Sequence, residues 1–170
     1  MEPVLWATRY RKKRVEPVEL REHFQKIRSF GQKIVSLNGS FDLLHAGHLQ
    51  ILFEAKQQGD VLVVALNTDA SIQSYKSPKR PIVPLEFRLQ MVAALEFVDF
   101  VTWFDETDPR EVLCKIHPDV HVNGADWGKE CIEAETVRAM QAQLHIVSIV
   151  PGLSTSQLIQ KIQTRADVSP

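Results

Sequence analysis

Two continuous apolar runs constrain this chain most: KIVSLNG at residues 33–39 and DVLVVALN at residues 60–67, separated by one helical stretch. A strand buried on both faces of its sheet reads as an unbroken apolar run rather than an alternating one. Between the two, HAGHLQILFEAKQQG sets Leu49, Leu52, Phe53 and Lys56 at helical spacing and stops at Gly59. Strand, helix and strand of these lengths close as a right-handed crossover, so the sheet is expected to be parallel.

The alternation continues to the end of the chain. VEPVELREHFQKIRSFG precedes the first strand as a helix, with Val18, Leu20, Phe24 and Ile27 roughly on one face and Gly31 ending it. Downstream, LEFRLQMVAALEFV is a helix after Pro84, DFVTWF a strand, and DPREVLCKIH a helix with Pro109 in a favourable first position. DVHVNG is a strand, KECIEAETVRAMQAQ a helix, HIVSIV the last strand and STSQLIQKIQTRA the closing helix. The segment SYKSPKRPIVP breaks the pattern with three prolines and carries Lys76, Lys79 and Arg80, which suits a lid. The fold class expected is α/β: a single-domain, Rossmann-like, doubly wound parallel sheet of about five strands. Residues 1–30 form a basic leader and an N-terminal helix, with RYRKKR at 9–14 read as a solvated run, and residues 31–170 form the domain proper.

Composition removes several classes of function. A net charge of −1 argues against a general polyanion binder, so no nucleic acid is expected as partner. Two cysteines, Cys114 and Cys131, make neither a disulfide framework nor a zinc ribbon and fit a reduced, cytoplasmic setting. No apolar run reaches membrane-spanning length and no apolar signal core follows the leader, so stable membrane insertion is not expected.

The stretch NGSFDLLHAGHLQ, residues 38–50, lies where the first strand ends and the next helix opens. Its two histidines, His45 and His48, share a helix face. A metal site would need three or four ligands, and only Asp42 is near. An anion site asks for less: a helix N-terminus offers free N–H groups and a positive dipole. Gly47 and Gly39 let a phosphate approach the backbone, and imidazole N–H groups can donate to its oxygens. Solvent-facing polarity is the third alternative.

NGSFDLLHAGH resembles the HxGH signature of the nucleotidylyltransferase superfamily. GQKIVSLNGSFDLLHAGHLQIL, VVALNTDASIQSYKSPKRPIVPLEFRLQMVAALEFVDFVTWFDETDP and PGLSTSQLI look like successive blocks of its D-glycero-β-D-manno-heptose 1-phosphate adenylyltransferase branch. The resemblance covers roughly residues 30–163 and implies that AMP passes from ATP to heptose 1-phosphate, giving ADP-heptose for lipopolysaccharide core synthesis. It implies Mg²⁺ as cofactor, ATP and a sugar 1-phosphate as substrates, and a homodimer. No kinase-like domain precedes the chain, so a separate upstream heptose kinase is expected.

On the same resemblance, His45 and His48 contact the triphosphate and stabilise the α-phosphorus, while Asn38, Gly39, Ser40, Phe41 and Gly47 line the phosphates. Ser154, Thr155 and Ser156 form a second phosphate block, in which Ser154 and Gln157 also match a helix-capping pattern. Lys76, and second to it Arg80, match the family pattern K-x-x-x-R-P-I and clamp phosphates; Arg88 either assists or makes a surface ion pair. Gly124 admits a base or ribose, and Asp42 and Asp126 are candidates for Mg²⁺ or a sugar hydroxyl.

VNGADW departs from the heptose branch, which carries lysine at Asn123 and tyrosine at Trp127. Its GADW ending is similar to the glycerol-3-phosphate cytidylyltransferases, so cytidylyl transfer to glycerol 3-phosphate or a similar phospho-alcohol is the alternative. Glu96 and Phe97, where the cytidylyltransferase branch carries an arginine–tyrosine pair, favour ATP.

Overall fold

The computed structural model describes residues 6–125, 128, 130–148 and 154–166. Five parallel strands form one sheet: β1 (Ile34–Gly39), β2 (Val61–Asn67), β3 (Phe100–Phe104), β4 (Val120–Gly124) and β5 (Gln143–Val147), in the order β3-β2-β1-β4-β5. The helices are α1 (Trp6–Arg9), α2 (Leu20–Ser29), α3 (Ala46–Lys56), α4 (Asp69–Tyr75), α5 (Leu85–Ala93), α6 (Arg110–Ile116), α7 (Ala134–Ala139) and α8 (Thr155–Ala166).

The unbroken apolar strands divide their side chains between two cores, because successive residues of a strand point to opposite faces. Val35, Leu37, Leu62, Val64 and Leu66 pack with Leu52 and Ala55 of α3 and Leu89 and Val92 of α5. Ile34, Val61, Val63 and Ala65 pack on the other face with Leu20 and Phe24 of α2 and Val112 and Ile116 of α6. In β1, Val35 stands opposite Leu62 of β2 and Val120 of β4. A one-residue slip would exchange the two cores, so register is strongly specified.

The basic run is only partly solvated: Arg9, Arg11 and Lys12 are exposed, while Lys13 and Arg14 are half-buried. Tyr10 and Val15 are buried, and Val15 N–H donates to Val101 O while Val101 N–H donates to Lys13 O. Residues 13–15 therefore cover the outer edge of β3, which would otherwise expose unpaired backbone groups. Lys13 caps the carbonyls of Leu95 and Val98, and the Arg14 guanidinium lies 4.4 Å from the Trp103 ring centre.

Four elements differ from expectation. α4 forms where no helix is expected; Thr68 caps it by accepting from Ser71 N–H, a local signal present in NTDAS. α7 covers only residues 134–139 of the expected helix, and β5 begins at Gln143, before the expected run. α6 starts one residue after Pro109, which takes the cap position.

Candidate functional site

The β1–α3–β2 crossover lies on one face of the sheet and α6, leading into β4, on the other. In the strand order the chain leaves β1 toward β2 and leaves β4 toward β5, in opposite directions, and a crevice opens between them at their carboxyl ends. A cleft of about 450 Å³ sits there. Asn38, Gly39, Ser40, Phe41, Asp42 and His48 line it from the β1 side, Lys76 and Arg80 from beyond α4, Asn123 and Gly124 from β4, and Thr155 from the start of α8.

The loop after β1 is shaped by one strained residue and one small one. Phe41 adopts φ 47°, a left-handed conformation uncommon for a bulky side chain. Its ring is buried and lies where a Cβ on Gly39 would come within 3.2 Å. Gly39 thus makes room for Phe41. The fully buried Arg88 holds the same loop: it donates to Ser40 O at 2.6 Å, to Val83 O at 2.9 Å and to Asp69 Oδ1 at 2.6 Å. Arg88 is therefore a structural clamp, neither a substrate contact nor a surface pair.

Asp42, expected to meet Mg²⁺ or a sugar, is otherwise engaged. Its carboxylate is 1% exposed and accepts from Arg80 Nε at 2.7 Å and from the N–H groups of Ile82 and Val83, each at 2.8 Å. A carboxylate with its lone pairs filled this way has little left for a metal. The same three bonds tie the proline-rich segment to the β1 loop, and Leu85 N–H is tied to Asp69. This segment is anchored rather than a free lid. Arg80 keeps a place at the cleft but spends one guanidinium N–H on Asp42.

His45 caps α3 in an extended conformation, and its N–H donates to His48 Nδ1 at 3.3 Å. A ring nitrogen that accepts must be unprotonated, so the His48 proton lies on Nε2. Burial, then the neighbouring His45 and Lys76, push the His48 pKa down to about 4. At neutral pH His48 is thus an uncharged donor, aimed by the backbone of its own helix turn. His45 stacks on it at 3.9 Å, does not itself line the cleft, and has Nδ1 buried without a partner among the described residues. Asn38 Oδ1 is likewise buried and unpaired among them. Buried polar atoms without a partner are uncommon in folded chains.

Lys76 follows α4 and donates to Ser40 Oγ at 3.0 Å, while Tyr75 OH lies 2.9 Å from the same hydroxyl. Burial and then Arg80 push its ammonium pKa down, partly countered by Asp42. Of the second phosphate block, Thr155 lines the cleft. Ser154 and Ser156 are exposed, and Ser154 serves as a cap, accepting from Gln157 N–H at 3.2 Å. Gly47 lies in the first turn of α3, beside the cleft rather than lining it. Asp126 and Trp127 lie outside the described residues. Tyr75 and Glu133 line the cleft without having been singled out from sequence. Glu133 is recognisable only once β4 and α7 are adjacent.

The profile of cytidylyltransferase-like domains matches residues 36–168, most of the chain and all of this cleft. This chain belongs to the cytidylyltransferase-like family. Within it, the chain is 40% identical to the Bifunctional protein HldE of Hahella chejuensis over 85% of its own length, and 41% identical to that of Salmonella paratyphi B over 88%. It spans about a third of the length of these relatives (31% in each case). A solved lipopolysaccharide core biosynthesis protein from Thermoplasma volcanium is 30% identical, covers 71% of this chain and 98% of its own, and superposes with a TM-score of 0.57. Pantothenate synthetase from Thermus thermophilus, 15% identical, covers 91% of this chain and 70% of its own at a TM-score of 0.62, a likeness of fold alone. For this cytidylyltransferase-like domain the cleft at the β1–β4 switch point is therefore the candidate nucleotide site.

Proposed function

We propose that this domain transfers AMP from ATP to D-glycero-β-D-manno-heptose 1-phosphate, releasing pyrophosphate and giving ADP-heptose for the lipopolysaccharide core. The observation that carries this reading is the placement of a neutral His48 donor and Lys76 around one cleft at the α3 N-terminus. The 40% identity to a bifunctional HldE supports the branch.

In this reading a phosphate oxygen of the sugar 1-phosphate attacks the α-phosphorus of ATP. The bond from that phosphorus to the bridging oxygen breaks, and pyrophosphate leaves with the bonding electrons. Both nucleophile and leaving group are phosphates, so no side chain has to act as base. His48 donates Nε2–H to an α-phosphate oxygen, and the N-terminal end of α3 adds its positive dipole. Lys76 offsets the charge of the two anions as they close. His45 keeps His48 in its donor tautomer through its backbone N–H. Among the described residues no group of three or more His, Cys, Asp or Glu side chains could hold a metal ion. Mg²⁺ bound together with the triphosphate would lower its charge.

A heptose kinase, joined or separate, would supply the acceptor, and a homodimer belongs to the same reading. No helix among the described residues is long and apolar enough to cross a membrane. The alternative, cytidylyl transfer to a phospho-alcohol, is favoured by Asn123 in place of the branch lysine. Pyrophosphate release measured with each of four NTPs against heptose 1-phosphate and glycerol 3-phosphate tests both. ATP with heptose 1-phosphate should give the highest kcat/KM; a CTP preference with either acceptor overturns the adenylyl assignment.

A further inference from the structure

The cleft has two chemically different ends. Toward α4 it is cationic, with Lys76 and Arg80. Toward β4 it presents a carboxylate, Glu133, beside Asn123 and the side chain of Ile132, which is 56% exposed. Phosphates belong at the first end. A carboxylate repels them, whereas a flat, amine-bearing ring that can lie on an aliphatic side chain suits the second.

Glu133 is held as if for recognition. It is 3% exposed, and its Oε1 accepts from Asn123 Nδ2 at 2.8 Å and lies 3.4 Å from His121 Nε2. His121 is fully buried, and its Nδ1 lies 2.8 Å from Ser36 Oγ. The Asn123 amide is itself oriented, because its Oδ1 accepts from Gly124 N–H at 3.1 Å. This chain of groups from β1, β4 and the start of α7 fixes one carboxylate at the cleft wall. Burial pushes the Glu133 carboxyl up, but the His121 hydrogen bond and others outweigh it, and the group stays below the usual range. At neutral pH it can only accept. A buried ionised group is costly to keep and is weak evidence for stability, so a use at the site is the better account of it.

We propose that Glu133, positioned by Asn123 and His121, reads the donor nucleotide's base by accepting a hydrogen bond from its exocyclic amine. A keto oxygen at that place would turn its lone pairs toward the carboxylate and leave both unpaired. The site therefore selects amino bases, adenine or cytosine, against keto bases. The inference rests on the nucleotidyl-transfer reading, but not on which of the two amino bases is used.

The test compares nucleotides that differ at that one position: ATP with inosine triphosphate, and CTP with UTP. Binding to the full chain is titrated calorimetrically without acceptor. The wild type is expected to bind the amino member of the preferred pair about 10–100-fold more tightly, the scale for one mismatched buried hydrogen bond. Glu133→Gln keeps the shape but can donate as well as accept, and should bring that ratio within about threefold while ATP and CTP still compete for the cleft. A folded Glu133→Gln protein with an unchanged ratio overturns the proposal. Should that variant not fold, Asn123→Ala, which releases the carboxylate, must lower the ratio or the proposal fails. A wild type that binds both members of each pair equally overturns it with no variant at all. Failure of adenylyl transfer would register separately, as absent pyrophosphate release from ATP, and leaves the CTP/UTP ratio readable.

Discussion

His48 offers the sharpest test because its protonation state is tied to a single hydrogen bond. Its Nδ1 accepts from His45 N–H, and its pKa is pushed from 6.5 to about 4. Folded His48 therefore takes up its proton near pH 4, whereas in the unfolded chain it does so near 6.5. Between those values unfolding binds a proton, so the contribution of neutral His48 is complete above pH 6.5 and is lost as pH falls toward 4. A shift of that size corresponds to about 3 kcal/mol. Urea denaturation of wild type and His48→Gln at pH 7 and pH 4.5 should show the stability gap shifting against the wild type by about 2–3 kcal/mol on acidification. Titration of the imidazole followed by nitrogen NMR should find the Nε2–H tautomer intact down to pH 5. In catalysis His48→Ala should lower kcat by about 10²- to 10³-fold, the scale for one preorganised donor. Wild-type kcat should show no inflection near pH 6.5 that vanishes in the variant. An imidazole titrating at 6.5, or a variant with near-normal turnover, would refute the reasoning.

Two further outcomes follow from the geometry. Lys76→Ala should reduce kcat/KM by about 10²-fold or more with little change in melting temperature, because the ammonium bonds one accessible hydroxyl; Lys76→Arg should recover only part, since a guanidinium differs in size and hydration. Arg88→Met should cost about 2–4 kcal/mol in chemical denaturation, because the carbonyls of Ser40 and Val83 and the carboxylate of Asp69 lose their donor together; a loss of activity without loss of stability would instead put Arg88 at the substrate.

The amino-acid sequence by itself determined the parallel α/β sheet and the location of the cleft. Unbroken strands such as VLVVALN and helices closed by Gly31 and Gly59 are local patterns, and local sterics and periodicity are written in consecutive residues. The capping signal for α4 in NTDAS is equally local. Family resemblance brought forward His48, Lys76 and Thr155, all of which meet at the cleft. Only the tertiary structure decided which charges remain free there. Asp42 is filled by groups 38–41 residues away, Arg88 spans to Ser40 across 48, and His121 meets Ser36 across 85. The same holds for His48, whose charge is set by burial and by the neighbours packed on it. Such states depend on desolvation and on partners distant in sequence, quantities that no run of consecutive residues encodes.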